Sequence, residues 1–166
     1  LHRHNDGQFR FSVQRMNMTK LAAPLGRLSA RVAGSADVQV EGRLGRQISG
    51  RASVSADRAS IQGISFTHAR LPLDWSVNPS RKEIRISTHA ASVDVGGGRI
   101  RGQGGARWNG HLDLDLTATA QNVNTRKLMV RGGGADSGTL DGRVHLRTRG
   151  ANSINDLSGQ FQGKLR

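Results

Sequence analysis

The 166-residue chain has no cysteine and no tyrosine. That removes disulfide frameworks, thiolate-bound zinc, iron–sulfur clusters and thiol nucleophiles together. Its only aromatic side chains are four Phe and two Trp, so the rings that dominate burial in compact globules are scarce. Any core has to be aliphatic and thin, and layers are expected instead of a thick globule. No uncharged apolar stretch exceeds about five residues, whereas a helix crossing a bilayer needs roughly 18, and none has the form of a secretory signal. Because the chain begins at Leu1 and ends at Arg166 within a strand pattern, it reads as a single β-rich segment of a longer protein. Its targeting segment is expected outside these residues.

Catalytic chemistry is also missing. The six histidines stand at positions 2, 4, 68, 89, 111 and 145, without the spacing of a metal site or of a base beside a carboxylate. Asp113 and Asp115 share a strand face, the ordinary solvated arrangement. Gly97 and Gly102 bracket four residues but lack the Lys-Ser/Thr of a phosphate-binding loop, and Ser49-Gly50 and Ser158-Gly159 have no nucleophile-elbow context. No catalytic residue, metal or cofactor is expected.

Basic residues are plentiful: 25 Lys and Arg against 12 Asp and Glu, a net charge of +13. Of the 25, 21 are Arg. They interleave with apolar residues, as in Arg99-Ile100-Arg101 and Arg143-Val144-His145-Leu146-Arg147, which is the pattern of a strand's solvent face. The aromatics are too scattered to form a base-stacking platform, so nucleic acid is not an expected partner. A basic face of this kind also suits anionic lipid head groups.

The dominant signal is two-residue alternation. Leu112 to Ala120 presents Leu, Leu, Leu, Ala, Ala on one side and Asp, Asp, Thr, Thr on the other. Ala69 to Val77, Val38 to Val40, Ala52 to Ala56, Ile84 to Ile86 and Val144 to Leu146 read the same way. Pro72 is expected at a sheet edge or strand entrance. Turn signals recur every eight to twelve residues, among them Asn78-Pro79-Ser80, Gly96-Gly97-Gly98, Asn109-Gly110, Gly132-Gly133-Gly134 and Asn155-Asp156, the spacing of consecutive antiparallel strands. Helix is suggested only at Met18 to Val32, interrupted by Pro24, and for one turn at Thr125 to Val130. An aliphatic-polar-Gly motif ends at Gly42, Gly50, Gly63, Gly102, Gly142 and Gly159. Glycine within strand patterns marks bulges, bends or close backbone approach, so the sheet is expected to curve.

Phe11 to Leu21 aligns without gaps on Ala118 to Leu128, an offset of 107 residues, and the order of elements downstream is kept. The chain therefore reads as about one and a half repeats of a β array, 1–110 the first and 111–166 the start of the second.

From Ala52 to Arg166 the chain resembles the C-terminal repeat region of AsmA-like proteins, a group related to TamB and similar periplasmic bridge-like proteins. The resemblance rests on Gly96 to Gly102, Leu112 to Ala120, Asn122 to Leu128, Ser137 to Gly142, Gly150 and Leu157 to Gly163. It implies an elongated, strongly twisted antiparallel sheet forming a β-taco-like groove, with one or two short helices. It further implies a periplasmic location in an inner-membrane-anchored protein, phospholipid as ligand, and a role in envelope lipid transport or outer-membrane maintenance, with other envelope proteins as possible partners. The family offers no catalytic motif to carry over.

An apolar sheet face has to be buried against something. Leu71, Leu73, Trp75, Val77, Leu112, Leu114, Leu116, Ala118, Val144 and Leu146 are the expected groove lining for acyl chains. Arg85, Arg99 and Arg143 are the expected contacts for head-group phosphate. The other function compatible with the pattern is a structural or adhesive β-repeat that binds protein or polysaccharide through its basic face.

Overall fold

Side chains one residue apart in a strand point to opposite faces, so the alternating runs demand a sheet with one dry and one wet side. The computed structural model describes residues 7–19, 32–61, 63–127, 138–151 and 158–165. Within them the runs become nine strands: β1 Gly7–Asn17, β2 Val32–Leu44, β3 Ile48–Ile61, β4 Ile64–Asn78, β5 Glu83–Val95, β6 Gly98–Trp108, β7 Leu112–Asn124, β8 Thr139–Ala151 and β9 Ser158–Leu165. All pair antiparallel with their sequence neighbours in one open sheet, ordered β1 to β9, with no closing pair between the first and last strands.

This is the all-β antiparallel architecture that the alternation predicts, and it is consistent with the twisted sheet that the resemblance implies. Among the described residues helix is almost absent: Met18 and Thr19 are helical, at the start of the expected Met18 to Val32 stretch, and Thr125–Lys127 make a 3-10 turn. Residues 20–31, which hold most of the helical spacing at Met18 to Val32, lie outside the described residues, as do 128–130; Val32 itself opens β2. The turn signals at Gly132-Gly133-Gly134 and Asn155-Asp156 lie outside them too.

The hairpins follow their turn chemistry. Val95 pairs with Gly98, leaving Gly96 and Gly97 as a two-residue turn with φ of 60° and 83°, the left-handed pair that matches strand twist. Pro79 to Lys82 make a four-residue loop in which Lys82 N–H donates to the Pro79 carbonyl at 3.2 Å and Arg81 N–H to Asn78 Oδ1 at 3.1 Å. Asn109 to His111 close a three-residue loop between the paired Trp108 and Leu112.

The strands run longer than the alternating stretches because several change phase partway. The register shifts between Val13 and Met16, between Gly34 and Asp37, between Thr88 and Ala91 and between Ala120 and Val123. Phe66 and Ala69, also three residues apart on β4, both pack on the Ala36, Ala56 and Ala59 cluster. Each such step returns the chain to the same face after three residues instead of two, the action of a β-bulge, which also increases twist. At three of these steps a non-glycine residue takes positive φ: His68 at 49° on β4 and, as a matched pair, Arg15 at 52° and Asn122 at 54°. Both members of the pair are held by a carboxylate on the adjacent strand, Asp37 accepting Arg15 N–H and Asp141 accepting Asn122 N–H, each at 2.8 Å. Two residues on, Asn17 Oδ1 accepts Thr19 N–H at 2.8 Å and Asn124 Oδ1 accepts Arg126 N–H at 3.0 Å. Arg15 and Asn122 are the residues superimposed by the 107-residue offset, so the local geometry recurs where the sequence does.

Pro72 lies mid-strand in β4, not at an edge. It pairs with Ser53 of β3, but toward β5 it falls between Arg70 and Asp74, where the ladder is irregular. A missing N–H costs nothing at such a site.

The core is as thin as the composition requires. Ala36, Ala56 and Ala59 are buried with Met18, Val54, Phe66 and Ala69 against them, and Val32, Val38, Val95 and fully buried Val123 complete it.

Candidate functional site

Directly paired residues share a face, so the registers identify what each side of the sheet carries. One row on the apolar side runs Gly50, Trp75, Ile86, Ala106, Leu114 across β3 to β7. The next runs Val77, Ile84, Trp108, Leu112. Leu73 pairs with Ala52 and Leu71 with Val54, while Leu116 meets Leu146 and Ala118 meets Val144. All ten apolar residues selected from the sequence therefore stand on one face.

Among the described residues no second sheet covers that face. Helix among them is limited to Met18 and Thr19 and the 3-10 turn; Met18 packs on the Ala36, Ala56 and Ala59 cluster. Large side chains on it stay open to solvent: Phe11 is 55% exposed, Leu71 38% and Phe161 60%, with Ile84, Ile86 and Trp108 in similar positions. The face is also inlaid with glycine. Phe9 and Trp75, ring centroids 6.1 Å apart, close over Gly42, where an added Cβ would stand 2.6 Å from Phe9 Cζ and 3.0 Å from Trp75 Cζ2. Trp75 Nε1 and Thr88 Oγ1 are buried on this side with no hydrogen-bond partner among the described residues.

The phase steps bend the face into a trough of about 520 Å³ whose walls are Ile61, Ile64, Phe66, Leu71, Val93 and Ile100, with Arg70 and Ser92 as its polar neighbours. Of these walls only Leu71 belongs to the selected ten. Sequence reading missed Phe66 because the bulge beside it reverses the alternation. It missed Val93 and Ile100 because each sits in a short, arginine- or glycine-flanked run whose face only pairing reveals.

The three selected arginines stand on the opposite, polar face. Arg85 pairs with Ser76 and Arg107, and its Nε is 2.7 Å from Glu83 Oε1. Arg99 is held by Asp94, Nε to Oδ1 2.6 Å. Arg143 lies between Thr119 and Gln162. A larger depression of about 810 Å³ on this face, bordered by Arg10, Glu41, Arg51 and Asp74, is already satisfied by its own ion pairs, Arg10 to Glu41 at 3.2 Å and Arg51 to Asp74 at 3.5 Å.

Two carboxylates of the polar face have pKa values below the ordinary 3.8. Asp94 is lowered chiefly by its hydrogen bonds from Arg99, with His68 adding to them. Asp113 is lowered first by the Gly150 N–H at 2.8 Å and then by Arg107. A carboxylate depressed in the folded state contributes stability that is complete above its unfolded pKa and disappears as pH falls through the folded one. Stability measured by urea unfolding should therefore be flat at neutral pH and decline below about pH 3.8. Asp113→Asn should flatten that decline; an unchanged acid limb in the variant would contradict the assignment.

No protein-family model, curated protein or solved structure matches the chain.

Proposed function

We propose that the uncovered apolar face shields or conducts phospholipid acyl chains by non-covalent contact, without catalysis. In this reading the chain is part of an AsmA-like, inner-membrane-anchored periplasmic protein that serves envelope lipid transport or outer-membrane maintenance. The observation that carries the reading is hydrocarbon continuity. Apolar rows follow one another across the sheet, lead into the trough at Phe66, Leu71 and Ile100, and meet no second layer of the described protein.

The physical argument is one of area. Each methylene fully removed from water contributes about 0.8 kcal/mol, and a chain lying on an open face gains roughly half of that, so ten methylenes amount to about 4 kcal/mol. That is enough for reversible retention and too little for trapping, as conduction requires. Small residues keep the surface passable: Ala106, Gly104, Gly102 and Ala118 pave the middle strands between the leucines.

Native mass spectrometry of the purified chain, followed by lipid extraction, tests this. Phospholipid adducts removed by mild activation are the expected result. A folded protein that carries no lipid after expression in a double-membrane bacterium, and takes none from vesicles, would overturn the reading.

A further inference from the structure

On the polar face the registers align a second feature, of which the lipid reading takes up only Arg143, as an expected head-group contact. Ser55, Arg70, Ser92, Arg101, Thr119 and Arg143 are consecutive partners across β3 to β8. Hydroxyl and guanidinium alternate along this row. Adjacent strands lie about 4.8 Å apart, so the three arginines repeat every 9 to 10 Å and span about 19 Å.

The row differs from those around it. Two rows away on the same face, Arg10, Glu41, Arg51 and Asp74 neutralise themselves through their own ion pairs. Arg99, Arg107 and Arg147 face Asp94, Asp113 and Asp115 at bonding or near-bonding distance. Arg70, Arg101 and Arg143 are exposed, and no ion pair to any of them exists among the described residues. Asp141, two positions from Arg143, is turned to the Asn122 N–H, and Asp37, at the end of the row beyond Ser55, to that of Arg15.

We propose that this row binds a linear acidic glycan in which every second sugar carries a carboxylate. The spacing selects that ligand. One ring of an extended glycan is about as long as one strand spacing, so alternate rings meet successive arginines while the intervening rings meet Ser92 and Thr119, each able to donate and accept. Guanidinium presents a planar fork to a carboxylate. Nucleic acid fits less well, because its charges are closer together and base stacking needs aromatics. Trp75, Trp108, Phe9, Phe11, Phe66 and Phe161 are all placed on the other face by their partners.

Binding of hyaluronan oligosaccharides to the full chain, measured by titration calorimetry at low and physiological salt, is the test, with neutral dextran and a DNA duplex as comparators. The wild type should bind hyaluronan, weaken with salt and ignore dextran. The triple variant Arg70→Gln/Arg101→Gln/Arg143→Gln should lose at least tenfold in affinity, while Arg10→Gln/Arg51→Gln stays within about twofold, both with unchanged circular dichroism. Equal loss in the two variants, or DNA binding as tight as hyaluronan at matched salt, would overturn the proposal. Leu71→Asp should leave glycan binding intact, which keeps this outcome separate from that of the lipid experiment.

Discussion

Gly50→Ala is expected to destabilise the sheet by roughly 2 to 4 kcal/mol, the range of substitutions that force a backbone overlap. Gly50 pairs with Gly42, and its position faces the backbone of β2 so closely that a Cβ would overlap the Glu41 carbonyl oxygen and stand 2.7 Å from Gly42 Cα. The obstacle is main chain, so no rotamer change relieves it; the hairpin has to open. For a chain of this size each kcal/mol shifts the midpoint by about 2 to 4 °C, so thermal melting should fall by on the order of 10 °C. Gly102→Ala is the control. Its Cβ would find Ala91 Cβ and the Thr117 carbonyl oxygen at 3.7 Å, ordinary contact, and exchanging glycine for alanine in a strand recovers up to about 1 kcal/mol of backbone entropy. Both glycines end the same aliphatic-polar-Gly motif, so one melts early and the other does not only if close approach is a property of the site. A Gly50→Ala midpoint within a degree or two of wild type would refute the β2–β3 geometry.

That contrast marks how far the residues could be read before the structure. Period-two alternation is local, and where it holds, as from Leu112 to Ala120, both the strand and its dry face follow from the residues alone. Turn positions follow too, because Gly96-Gly97 and Pro79 act through their own backbone constraints. The aliphatic-polar-Gly motif announces irregularity without saying which kind. Gly50 marks close approach and Gly102 only a small side chain, while the two carboxylate-held bulges lie elsewhere, at Arg15 and Asn122. Nothing local warns of those, since Asp37 and Asp141, which hold them, are 22 and 19 residues away.

Register is the other quantity a single strand does not contain. The ten apolar residues fall on one face because each lies inside an unbroken alternating run. The trough escaped because it sits where alternation breaks, so that Phe66 joins Leu71 across an odd number of residues. The arginine row escaped for a related reason: Arg70, Arg101 and Arg143 are far apart in sequence and become neighbours only through four successive pairings. Placing Arg85, Arg99 and Arg143 opposite the leucines is the same consequence of alternation, and it separates the sheet into a hydrocarbon side and an anion-attracting side.

On the hydrocarbon side, Leu71→Asp should reduce bound phospholipid at least tenfold while leaving the sheet folded. Leu71 forms part of the trough wall yet is 38% exposed, so its loss removes only part of a buried side chain's contribution, about 1 kcal/mol. The carboxylate can reach water when the face is empty. With an acyl chain over it, the charge would have to be desolvated without a partner, which costs several kcal/mol against the roughly 4 kcal/mol that ten half-covered methylenes provide. Binding therefore fails before folding does. Ser53→Asp on β3 tests the geometry, because Ser53 pairs with Pro72 on the opposite face and adds the same charge within the same strand pair. Lipid extraction should find Ser53→Asp loaded like wild type and Leu71→Asp empty. Equal lipid in both variants would remove the trough from the path of the acyl chain. Loss in both would mean that net charge, and not an apolar surface, retains the lipid.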